Sequence, residues 1–199
     1  AGFKLIIVVA GVHNKLRNQT QRRIDEGFIG IDSAHIFSTD REKKIIGVGM
    51  VPNARRPTTF TSSARDFNKT AATNIGMSIL NSPEPVVFVV KKNSSTLKNL
   101  LDWLREHNTK GDIDEINLPM LLIDDEADNA SINIAHGRGA ISTINKQLRD
   151  LLGLFTKSAY VGYTATPFAN IFIDPDTDDE MVGEDLFPRD FIFSMDPPS

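Results

Sequence analysis

The chain has 199 residues, enough for one domain with a core that folds without staples. Apolar residues make up 40% and charged residues 24%, the balance of an ordinary globular domain, and there is no cysteine, which excludes disulfides and thiolate metal sites and makes a reducing cytoplasm the simplest compartment. The net charge of −4 argues against an overall basic coat for nucleic acid, although it leaves room for a local basic patch.

Phe3 to Val9 (FKLIIVV) is a continuous apolar run rich in β-branched residues, the pattern of a strand buried on both faces. Asn14 to Glu26 reads as a helix with Leu16, Thr20 and Ile24 at a spacing of four, and Gly27 and Gly30 are its candidate stops. The segment from Ile45 to Thr59, punctuated by Gly and Pro, reads as loop. Pro85 to Val90 predicts a second strand, Leu97 to His107 an amphipathic helix, and Leu118 to Ile123 a third strand. Asn129 to Gly139 is a polar loop, Thr143 to Phe155 a helix, Ser158 to Tyr163 a fourth strand, and Phe191 to Phe193 the start of a fifth. Alternating strands and helices predict an α/β fold whose largely parallel sheet is covered on both faces. No apolar run reaches the roughly 18 residues of a membrane span, and the N-terminus lacks a signal-peptide pattern. The four histidines, His13, His35, His107 and His136, form no ligand-spaced pair, which points away from zinc.

Chemistry concentrates at two strand ends. Leu121-Leu122-Ile123 runs straight into Asp124-Asp125-Glu126-Ala127-Asp128. In open parallel sheets ligands bind at the carboxyl ends of strands. An Asp there can hold Mg²⁺, and a Glu one residue later can orient and deprotonate an attacking water. Further on, Tyr160-Val161-Gly162-Tyr163 ends in Thr164-Ala165-Thr166-Pro167, a strand finishing in two hydroxyls. Alone, such hydroxyls read as turn caps; after the carboxylate motif, with one helical segment between, they gain weight.

Asp125-Glu126-Ala127-Asp128 resembles motif II of superfamily-two helicases, and Thr164-Ala165-Thr166 resembles their motif III. The longer strings LLIDDEADNASIN and YVGYTATPFANIFID, with the opening IIVVAGVHNKLRNQTQRRI and the closing DLFPRDFIFSMDPPS, resemble a narrower group. These are the bacterial helicase-like ATPases, often labelled endonucleases, that carry the Z-one domain. The resemblance spans almost the whole chain. It implies a RecA-like P-loop NTPase fold, with residues 1–199 forming part of motor domain one from motif Ia to just past motif III. It implies ATP and Mg²⁺ as substrate and cofactor, and DNA as partner, in a restriction or defence setting. Asp125 would bind Mg²⁺, Glu126 would activate water, and Asp128 would bond to the hydroxyls of Thr164 and Thr166. The segment from Ala10 to Gln19 would match motif Ia, which touches the nucleic-acid backbone. Asn14 and Arg17 lie in that segment, and Lys91 at another strand end is a further candidate for phosphate contact.

A phosphate-binding Gly-x-x-x-x-Gly-Lys-Thr/Ser loop is absent from these 199 residues, as are the arginine motifs of a second motor domain. The start at Ala1-Gly2-Phe3 and the end at Pro197-Pro198-Ser199 read as cut ends. The expectation is a partial motor domain, inactive alone, whose partners include the phosphate-loop segment and second motor domain of the same protein. A missing strand would leave an open edge beside Ser158 to Tyr163. Asp174, Asp176, Asp178, Asp179 and Glu180 form one contiguous run that reads as a solvated acidic loop rather than a nuclease site. A nuclease, or a binding module with a decayed motor fold, are the competing readings.

Overall fold

The computed structural model describes residues 2–36, 43–76, 78–109, 115–128, 143–165, 186 and 190–195. Five strands form one all-parallel sheet: β1 (Leu5–Ala10), β2 (Thr58–Thr59), β3 (Val86–Lys91), β4 (Ile116–Asp125) and β5 (Phe155–Tyr163), in the order β2-β3-β1-β4-β5. The helices are α1 (Asn14–Ile24), α2 (Lys69–Ile75), α3 (Ser94–Asn108) and α4 (Thr143–Gly153). The fold class is therefore α/β, as the alternating pattern predicts. Among the described residues no helix is long and apolar enough to cross a membrane.

The sheet buries both faces, so the period of two along each strand sorts side chains into two cores. Leu5, Ile7 and Val9 of β1 share a large core with Phe88, Leu100, Trp103, Met120 and Leu122, under α3 and α4. Val8 and Ala10 share a smaller one with Val87, Val89, Ile29 and Ile31, on the side of α1. Phe60, Phe67, Phe88 and Trp103 pack around one another, Phe60 stacked on Phe88 at 5.4 Å between centroids. Pro119 lies in β4, where a proline has no N–H to donate, and the β4–β5 register shifts between Ile116 and Pro119.

Three expectations change. Phe155 begins β5 rather than ending α4, because α4 stops at Gly153 with only Leu154 between. Phe191 to Phe193 form no strand; all three side chains are exposed. The segment read as loop contains β2, and α2, which the sequence pattern did not reveal, follows it. At the other edge β5 pairs with β4 alone among the described residues, and Thr156, Lys157, Ser158, Gly162 and Tyr163 are exposed.

Helix α1 turns a different face inward from the one its apolar residues suggest. Leu16 is exposed, and the buried stripe one residue further round is Arg17, Gln21 and Asp25. Strand β2 ends after Thr59, so the N–H and C=O of Val89 on that side of β3 lack a ladder partner. Side chains replace it: Thr61 Oγ1 accepts from Val89 N at 2.9 Å, and Arg17 donates to Val89 O from Nε at 2.9 Å and Nη2 at 2.8 Å. Arg17 also donates to Ser62 O and to Gln21 Oε1, and Gln21 Nε2 donates to Asp25 Oδ1 at 2.9 Å. Burial lowers the Arg17 pKa against the opposing pull of Asp66 and Asp25, and burial raises that of Asp25 against the hydrogen bonds from Ser33 and Gln21. A π-helical turn, Asp25–Ile29, continues α1 past Gly27 and ends at Gly30 in the left-handed region with φ 79°.

Arg17→Ala should lower the unfolding free energy by about 3 kcal/mol or more, since it strands two buried carbonyls and a buried carboxyl. Arg22→Ala, on the exposed face, should change it by less than about 0.5 kcal/mol. Urea unfolding of the two variants checks this; equal, small effects would contradict a structural role for Arg17.

Candidate active site at the carboxyl edge of the sheet

All strands run the same way, so the ends of β1, β3, β4 and β5 lie along one edge. Val9 of β1 is level with Asp124 of β4, Ala10 with Lys91 of β3, and Asp125 with Tyr163 of β5. The loop that follows each strand therefore delivers its first residues to the same place: Gly11, Lys92, Glu126 and Thr164.

The three successive acids of β4 and its turn have different surroundings. Asp124 is fully buried; its Oδ1 is 2.9 Å from Lys92 Nζ and its Oδ2 accepts from the Tyr160 hydroxyl at 3.0 Å. Asp125 is half-buried, and its carboxylate makes no hydrogen bond or ion pair among the described residues. Glu126 has φ 54°, a left-handed conformation that costs a side-chain-bearing residue roughly 1–2 kcal/mol. Its carboxylate lies over Gly11: a Cβ built there would stand 2.8 Å from Glu126 Oε2. A glycine at the end of β1 thus makes the space that the carboxylate fills.

The turn closes onto β5. Ala127 N donates to Tyr163 O at 2.9 Å, and Thr164 Oγ1 donates to Asp128 Oδ1 at 2.7 Å. Gly162 admits this approach, since a Cβ there would meet the Cβ of Ala127 at 3.0 Å. Asp125, Glu126, Asp128 and Thr164 are thus gathered at one edge; Thr166 lies outside the described residues, as does the acidic run from Asp174 to Glu180. Asn14 is exposed as the first residue of α1, directly after the loop that leaves β1, where the first N–H groups of a helix are open to an anion. Lys91 is the half-buried last residue of β3.

No family model, curated protein or solved structure matches the chain.

One expectation for this edge is corrected by the geometry. Arg17 is 1% exposed with its donors spent on protein acceptors, so it is an interior strut and not a surface contact for phosphate. The first acid of the motif, Asp124, is paired with Lys92. Sequence reasoning gave Lys92, Tyr160 and Gly11 no role of this kind. The usable signal was a lysine directly after one buried strand and an Asp ending another, two groups that a parallel sheet brings to the same edge.

Asp125 is a carboxylate at a strand end, the oxygen-donor type that suits hard cations such as Mg²⁺. Among the described residues no group of three or more His, Cys, Asp or Glu could hold a metal ion.

In a double-mutant cycle of Asp128→Ala and Thr164→Val, unfolding should give a coupling of about 1 kcal/mol, the net worth of one partly buried hydrogen bond to a charged group. Purely additive effects would contradict a direct interaction in solution.

Proposed function

We propose that this chain is part of a RecA-like, helicase-type motor domain that hydrolyses ATP with Mg²⁺ and couples hydrolysis to movement on DNA. The observation that carries the reading is the carboxyl edge itself. Two acids whose carboxylates make no hydrogen bond or ion pair among the described residues, Asp125 and Glu126, end an inner strand of a parallel sheet, and Asp128 in the same turn is hydrogen-bonded to Thr164 at the end of the next strand. Glu126 holds the attacking water and takes its proton. Asp125 would hold Mg²⁺, which when bound would supply charge neutralisation on the phosphate oxygens. A change at the phosphates that moves the Asp128 turn pulls on Thr164, and so on β5 and the segment after it. The motor reading gives Thr166, which lies outside the described residues, the same coupling role.

Among the described residues β5 pairs with β4 alone, and the motor reading sets the strand that bears the phosphate loop along that edge. Phosphate contacts from nucleic acid fall to the exposed residues of the same edge, Asn14 at the start of α1 and Lys91 at the end of β3. The setting is a DNA-processing protein of restriction or defence type.

In the full-length protein, Glu126→Gln should reduce Mg-ATP turnover by about 100-fold or more while ATP binding survives, because the amide keeps the shape and removes only the base. Turnover at the wild-type rate would remove Glu126 from the mechanism. DNA cleavage by the wild-type protein without ATP would favour a nuclease instead.

A further inference from the structure

Lys92 is among the most completely buried charged groups of the structure, 3% exposed and with no exposed side-chain surface. An ammonium has three protons to donate and needs three acceptors when water is excluded. It donates to Asp125 O at 2.8 Å and to Glu126 O at 2.7 Å, and it lies 2.9 Å from Asp124 Oδ1 as an ion pair. Its own backbone is fixed, with Lys92 N donating to Ala10 O at 2.9 Å. Charge neutralisation of Asp124 explains one of these contacts. The other two fall on the backbone carbonyls that flank the left-handed Glu126, at the residues whose side chains form the candidate site.

We propose that Lys92 is a positioning residue, which clamps the carbonyls of Asp125 and Glu126 and so holds Glu126 in its strained conformation with the carboxylate over Gly11. A residue at φ 54° relaxes toward the right-handed or extended regions unless its surroundings hold it. The clamp acts from β3 across β1 to β4, so the aim of Glu126 is fixed by the interior of the sheet and not by its own loop. Because both carbonyls belong to the turn that also donates from Ala127 to Tyr163, release of the clamp also loosens the link to β5. The geometric part stands without any assumption about the reaction; its consequence for turnover rests on the ATPase reading above.

The experiment separates the clamp from simple charge pairing in the full-length protein. Lys92→Met alone leaves Asp124 buried and unpaired and should destabilise the fold. Lys92→Met combined with Asp124→Asn removes both charges and should regain most of that stability. In this double variant, hydrogen exchange of the Ala127 amide should rise by about tenfold or more relative to the β1 amides. If the protein hydrolyses ATP, kcat should fall by about tenfold or more with little change in KM. A stable double variant with wild-type exchange at Ala127 would overturn the proposal, whereas raised exchange in a protein that shows no ATPase activity would support the clamp and count only against the hydrolytic reading. A measurement on the unmutated protein covers the case in which the variants do not fold. The Lys92 ammonium should give slowly exchanging ¹⁵N resonances with couplings across hydrogen bonds to the carbonyl carbons of Asp125 and Glu126. Their absence would equally overturn it.

Discussion

A buried ammonium must have acceptors for all its protons, because no water is present to take the remainder. At the carboxyl edge of this sheet that requirement shapes everything around it. Lys92 Nζ lies within 3 Å of Asp124 Oδ1 and of the two following carbonyls, where the chain turns sharply after β4. Glu126 takes the left-handed region in that turn, with its carboxylate by Gly11. Three consecutive acids thereby divide their roles. The first is consumed inside the protein as a counter-charge, and the carboxylates of the next two make no hydrogen bond or ion pair among the described residues.

The parallel sheet supplies the other half of the arrangement. Its strands deliver residues from distant parts of the sequence to one edge without any long-range loop, and its register sets their heights: Val9 against Asp124, Asp125 against Tyr163. Small residues admit the close approaches, Gly11 under the Glu126 carboxylate and Gly162 against Ala127. The Thr164 to Asp128 hydrogen bond ties the end of β5 to the acidic turn. The Lys92 and Arg17 networks are buried on the β1 and β3 side, and among the described residues β5 pairs with β4 alone.

The sheet was legible where strands are continuous apolar runs. LIIVV, VVFVV and MLLI leave no polar face to put in water, so two-sided burial is the only economical reading. Thr58–Thr59 was not legible, since two residues carry no periodicity, and the polar helix Lys69–Ile75 has no apolar stripe to betray it. Phe191 to Phe193 carried a strand-like composition but found no partner among the described residues. In α1 the apolar stripe misled. Arg17, Gln21 and Asp25, also four apart, are the residues the interior needs, because β2 ends early and leaves Val89 to be satisfied by side chains. Charge was read as exposure, whereas here it is the answer to unpaired backbone. The acidic motif was found from the sequence, and so was the Thr164 partner of Asp128. Lys92 was not, because its role depends on which strands are neighbours, and strand order is not written in local pattern.

The most direct measurement of the central claim, that this edge is a nucleotide-hydrolysis site, is a crystal structure of the full-length protein with Mg²⁺, ADP and an aluminium fluoride mimic of the transferred phosphoryl group. The account predicts the metal beside Asp125, a water between Glu126 and the fluoride, and the Lys92 contacts to the carbonyls of Asp125 and Glu126 retained. A nucleotide bound elsewhere, with Asp125 and Glu126 facing only solvent, would contradict it.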